Sequence, residues 1–164
     1  MHWCLIICAG TGNVLKVVYY SNIIPQIGQV AAAIHLNRLP PDQVPEIEWL
    51  IESFTGDEFT IGVPVRRGLD ELGHEIFTIH WGKNWGLGLQ TVGFLLSAHS
   101  NPLDWKFFNV WPSSNFSIRA GDMILHHLKS FKPAQYWVAR GIQKQYGEIV
   151  TLVGKTKELS KTDG

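Results

Sequence analysis

VLKVVYYSNIIPQIGQVAAAIHLNRLPP, residues 14–41, is the stretch that decides the fold. Residues 14–20 are β-branched and aromatic with little polar alternation, which predicts a strand covered on both faces. Further on, Ile27, Val30, Ala31 and Ile34 recur at the i, i+3, i+4, i+7 spacing of one buried helical stripe. Pro40-Pro41 closes that helix. A strand leading through a short loop into a helix is the opening unit of an α/β sheet. In such units the loop faces the free N–H groups of the helix start, where ligands and catalytic groups collect. Here the loop reads Ser21-Asn22-Ile23-Ile24-Pro25-Gln26-Ile27, with no glycine pair, no basic residue and no evident nucleophile.

The remainder of the chain repeats the alternation. A second helix starts near Pro45, a residue suited to a first helical position, with a stripe of Ile47, Leu50, Ile51 and Phe54. EFTIGV (58–63) and EIFTIHW (75–81) read as a strand pair, with PVRRGLDELGH (64–74) as a long hairpin loop or a short helical excursion. Residues 84–98 turn helical, with Trp85, Leu89, Val92 and Leu96 aligned; Gly86, Gly88 and Gly93 each weaken that helix by up to about 1 kcal/mol. WKFFNVW (105–111) is a strand stopped by Pro112, after which Ser114 or Asn115 caps a helix running to about Leu128. QYWVA (135–139) reads as a short strand. Tyr146, Ile149, Val150 and Val153 mark a last helix. The expected architecture is α/β: a single three-layer domain over residues 14–157, its sheet mainly parallel but mixed, flanked by helices. Residues 1–13 are expected to form an N-terminal extension or extra strand, and 158–164 a frayed polar tail.

Composition narrows the function classes. At 164 residues the chain is long enough to bury a core without staples, and 45% hydrophobic against 17% charged residues is globular. Fourteen Lys+Arg balance fourteen Asp+Glu, so the chain lacks the basic field that dominates nucleic-acid affinity. The apolar run at the start of MHWCLIICAGTG is too short to span a bilayer and lacks a basic n-region. Cys4 and Cys8 read as reduced, small apolar residues of a cytoplasmic protein. Neither nucleic acid nor membrane is expected as a partner. No phosphate-loop, dinucleotide, zinc-protease or nucleophile-elbow motif occurs, so no cofactor and no metal site are expected. A metal or thiol chemistry based on His2, Cys4 and Cys8 is the least supported reading.

In an open α/β sheet, ligands bind beyond the carboxyl ends of the strands. The strand ends expected there carry Ser21-Asn22, Lys83-Asn84, Ser114-Asn115 and Arg140-Gly141, with Arg119 one turn into its helix. Helix starts and the cations Lys83, Arg119 and Arg140 would together favour a small anion. The plainer alternatives are that Ser114 and Asn115 only cap a helix and that Arg119 pairs with Asp122 or Glu148. Of the seven histidines, His80 alone stands at a strand end where it could carry a proton; an edge histidine bonded to backbone is the simpler reading.

VAAAIHLNRLP (30–40), FTIHWGKN (77–84), NFSIRAGDMILHHL (115–128) and ARGIQKQYGEIVTLV (139–153) together resemble an uncharacterised bacterial family, domain-of-unknown-function family 3189. The likeness covers about residues 14–157 and leaves out the first thirteen. It implies an α/β fold and a rim site, and carries no settled activity. It also implies that the loop before the first helix holds a Gly-Gly-Thr-His-Ser type of sequence. This chain departs from that pattern, with Ile23 and Ile24 at the glycines, Pro25 at the threonine and Gln26 at the histidine. A loop so altered has lost amides and an imidazole that could cradle and protonate an anion. Two functions are therefore expected: binding of a small phosphate- or nucleotide-like anion at the sheet edge with weak or no catalysis, or a non-catalytic interaction protein. The second would be a degenerate partner subunit of an intact relative, its apolar loop and surplus tryptophans forming a homo- or hetero-oligomeric contact.

Overall fold

Strand β1 (Lys16–Ser21) lies between two parallel neighbours, β3 (Glu75–His80) and β4 (Trp105–Asn109), in a four-stranded sheet of order β2-β3-β1-β4. The computed structural model describes residues 14–22, 24–54, 60–82, 86–88, 90–92, 104–110 and 132–162. β2 (Val65–Leu69) runs antiparallel along β3 and makes the sheet mixed, as the alternation of elements predicts. Parallel strands need both faces covered, and β1 shows why its sequence is apolar throughout. Val17 and Tyr19 point to one face and Val18 and Tyr20 to the other, all of them buried.

The first face carries the larger core. Against it pack α1 (Pro25–His35), α2 (Ile47–Phe54) and α3 (Lys132–Thr162). The predicted stripe of α1 is buried in full: Ile27, Val30, Ala31 and Ile34 join Val17, Tyr19 and Ile76. The helix lies against the sheet at Gly28, where a Cβ would stand 3.4 Å from the Tyr19 carbonyl oxygen, an ordinary contact. The helix ends before the prolines, in a Schellman turn. Asn37 takes the left-handed conformation at φ 54°, while its N–H and that of Arg38 bond the carbonyls of Ile34 and Ala33. On the second face Tyr20, Ile79 and Trp81 pack with Phe77, Trp105 and Phe107. Residues 86–88 and 90–92 are helical, and Val92 packs on this face.

The structure corrects the chain reading in three places. The strand expected at 58–63 is not one over its described part, because 60–63 form a turn in which Gly62 sits at φ 77° and donates to the His80 carbonyl. The strand comes later, inside the segment read as a loop. β2 is VRRGL, an edge strand whose arginines hide its pattern, as charged side chains on sheet edges often do. The strand expected at 135–139 lies inside α3, a 31-residue helix. There Ala134, Val138, Ile142, Gln145 and Ile149 keep one helical face buried from turn to turn. Arg140 and Gly141 accordingly end no strand. α3 also continues through Thr162, so the described part of the stretch read as a frayed tail, 158–162, is helical, with Ser160 buried.

Candidate functional site

The carboxyl edge of the parallel strands is assembled around Ser21. Register places His80 opposite Ser21 and Asn109 opposite Tyr20. Trp81 N–H donates to the Ser21 carbonyl (3.1 Å) and Val110 N–H to that of Tyr20 (2.9 Å), so the strand ends stay joined up to this edge. The Ser21 hydroxyl does not cap α1. It donates to the Ile24 carbonyl and closes the loop on itself. Ile24, at the N-cap of α1, offers no side-chain acceptor, Pro25 follows, and no acidic residue occupies the first turn. The positive end of α1 is therefore left without a capping side chain at its N-cap and without an acidic residue in its own first turn.

Around this helix start lie polar atoms buried without a partner: Asn22 Oδ1, Gln26 Oε1, His80 Nδ1, Asn109 Oδ1 and Trp81 Nε1. Unpaired buried polar atoms are scarce in folded proteins, and of the ten among the described residues these five lie along this one edge. Gln26 and His80 stand on the α1 side of the sheet, with His80 lining a crevice of about 10 Å³ beneath Pro25, room for about one water. Asn109 and Trp81 border the same edge on the other face. Burial pushes the His80 imidazole below its ordinary range, offset in part by a hydrogen bond to Ser21 backbone. The lowered value favours the neutral ring.

Of the residues singled out from sequence, Ser21 and Asn22 lie at this edge. Lys83, Asn84, Ser114, Asn115 and Arg119 fall outside the described residues. Arg140 is exposed on α3 and donates to Gln143 Oε1 (3.3 Å), and Gly141 is buried in the same helix. The sequence reading treated Gln26 as a lost histidine and passed over Asn109. The usable signal for both was position, a polar residue at the last place of a strand or in the first turn of the following helix.

A second polar constellation went unread. Tyr19 donates its hydroxyl to His35 Nδ1 (2.6 Å), and His35 Nε2 donates to Asp70 Oδ2 (3.2 Å), with both ring residues buried. The carboxylate fixes the tautomer, because ionised Asp70 can only accept. Asp70 Oδ1 meanwhile accepts the N–H groups of Leu72 (2.9 Å) and His74 (2.8 Å), which folds the β2–β3 turn. Burial drives the Tyr19 hydroxyl far above its usual range, a contact with Thr156 opposing and the Asp70 charge adding. Burial also lowers His35, against the pull of Asp70. The chain links β1, α1, the hairpin turn and α3 at the amino edge of the sheet, opposite the free start of α1. Being closed to solvent, it serves as a structural clamp.

Among the described residues no three His, Cys, Asp or Glu side chains come together to hold a metal. No described helix is long and apolar enough to cross a membrane. Residues 16–158 match the family described as "Protein of unknown function (DUF3189)", and the chain belongs to that family. No curated protein and no solved structure matched the chain.

Proposed function

We propose that this member of a family of unknown function binds a small phosphorylated, nucleotide-like molecule at the carboxyl edge of β1, β3 and β4, with little or no chemistry. The observation that supports it most is the set of unpaired polar atoms around the uncapped start of α1. The helix start suits an anionic group. The acceptors Asn22 Oδ1 and Gln26 Oε1 suit hydroxyl or amino donors on the same molecule, and His80 Nδ1 lies beside them as a further hydrogen-bonding atom. A nucleotide carries both. Weak chemistry follows from the loop itself: Ser21 is turned inward onto Ile24, and the neutral His80 is the proton carrier at the described edge.

A thermal-shift series with inorganic phosphate, ribose 5-phosphate and nucleoside monophosphates tests this reading. A ligand at a hundred times its Kd adds about 2.7 kcal/mol, which for a chain this long raises Tm by roughly 5–10 °C. His80→Ala and Gln26→Ala should each shrink the shift. A flat series at millimolar ligand, or shifts indifferent to both variants, would overturn the proposal.

The rival reading, contact with another chain, loses part of its support. Among the described residues of the loop, Ile24 and Ile27 are core residues that anchor α1 rather than offering a surface. It retains Tyr136 and Trp137, each 46% exposed near the start of α3. Light scattering of the chain alone and mixed with an intact relative decides it, since a monomer that ignores the relative removes this reading.

A further inference from the structure

The sheet ends on two edges of opposite character. β2 presents Arg66, bonded to Glu75 at 2.8 Å, and a register slip between Arg66 and Gly68 that spoils further pairing. β4 is its opposite: three of its five residues are aromatic, Lys106 is its only charge, and its register with β1 runs unbroken. Val110 N–H donates inward to the Tyr20 carbonyl at 2.9 Å. Strand alternation then turns the N–H and C=O groups of Trp105, Phe107 and Asn109 outward. Among the described residues no strand lies beyond them and no backbone group bonds them from outside. Such a row is a template for another strand.

Alongside this edge α3 carries a matching stripe. Glu148, Leu152, Lys155 and Leu159 follow the i, i+4, i+7, i+11 spacing of one helical face. With Phe108 and Thr156 they line a cavity of about 460 Å³; Phe108 is its wall from the sheet, so the space lies at the β4 side of the α3 face. Leu159 is 55% exposed there. The stripe is self-complementary, with a carboxylate at Glu148, a leucine next, and an ammonium two turns on at Lys155. Laid end for end against a copy of itself, it sets Glu148 against Lys155 twice over. A carboxylate accepts from several donors, so this match stands beside any other contact of Glu148.

We propose that a second copy of this chain pairs with the β4 edge across a two-fold axis normal to the sheet. The antiparallel β4 strands centre on Phe107 opposite Phe107 and set Trp105 opposite Asn109, the register in which all three outward residues exchange hydrogen bonds. The two four-stranded sheets become one, and neither β4 edge is left open. On the α3 face the same axis turns the two helices antiparallel, so their leucines close the cavities and Glu148 of each copy meets Lys155 of the other. The contact uses the same patch on both copies, as a two-fold interface requires. It takes only the backbone of Asn109, and so stands or falls apart from the nucleotide reading.

Sedimentation of the full chain over a concentration series, with two charge variants, tests the assignment. The parent sediments as a dimer that dissociates on dilution. Glu148→Lys and Lys155→Glu, both at exposed positions, each set like charges face to face. Each weakens self-association at least about tenfold, with the fold intact by circular dichroism. Mixed in equal amounts, the two variants restore opposite charges across the axis and associate with each other as tightly as the parent does with itself. Hydrogen exchange at the amides of Trp105, Phe107 and Asn109 slows at least about tenfold from the dilute to the concentrated parent. A monomer throughout the series, unweakened variants, a mixture no tighter than either variant alone, or association that leaves those three amides unchanged would each overturn the proposal.

Discussion

Replacing Tyr19 by Phe isolates one bond of the buried clamp. The ring stays and only the hydroxyl that donates to His35 Nδ1 at 2.6 Å is lost, together with its contact to Thr156. His35 cannot adapt. If Nδ1 takes the proton to escape being an unpaired acceptor, Nε2 no longer has one to give Asp70. Either tautomer leaves a buried polar atom unsatisfied, which costs about 1–3 kcal/mol. No larger cavity forms, so the whole effect should be about 2 kcal/mol, or roughly 4–8 °C in Tm. Urea unfolding reads it directly as a lower midpoint with an unchanged m-value. The same substitution in a His35→Leu background, where only the contact to Thr156 remains, should cost at least about 1 kcal/mol less than in the parent, the coupling between the two side chains. A Tyr19→Phe protein within about 0.5 kcal/mol of the parent, or an equal cost in both backgrounds, would refute the clamp.

His35 and His80 both have folded pKa values below the ordinary 6.5. Below that value the unfolded chain takes up protons that the folded chain refuses. Stability is therefore full above it and falls as pH drops, by at most about 1.4 kcal/mol per pH unit for each histidine. Urea midpoints at steps from about pH 8 to 5 should show this slope, and His80→Gln should reduce it; a midpoint that rises on acidification contradicts both assignments. Gly88→Ala should destabilise by about 1–3 kcal/mol, because its Cβ would stand 2.3 Å from Trp81 Cε3 in the second core; thermal unfolding no different from the parent would contradict that packing. Gly28→Ala, with 3.4 Å of clearance, should be neutral or stabilising by up to about 1 kcal/mol, and a marked loss of Tm would show that α1 lies closer to the sheet.

The sequence was legible where one physical signal dominated. β1 and the stripes of α1, α2 and the later part of α3 stood out because burial on both strand faces or on one helical face leaves little choice of residue. β2 was missed because an edge strand needs no apolar alternation and Arg66, Arg67 and Gly68 form a bulge that breaks what remains. The early turns of α3 read as a strand because Tyr136, Trp137 and Val138 are β-prone; only the longer spacing from Ala134 to Ile142 reveals the helix. At the sheet edge, Ser21 and Asn22 were found by their position after a strand. The roles of Gln26, His80 and Asn109 depend on which strands are neighbours. The Tyr19–His35–Asp70 clamp joins residues 16 and 35 positions apart, which no local pattern encodes.

The sheet-edge proposal is tested most directly by nuclear magnetic resonance of the labelled protein titrated with adenosine monophosphate. The side-chain amides of Asn22, Gln26 and Asn109 and the imidazole of His80 should shift together along one saturating curve, with Arg38 and Arg67 still. Saturable binding that leaves those four side chains unmoved would place the ligand elsewhere and contradict the account.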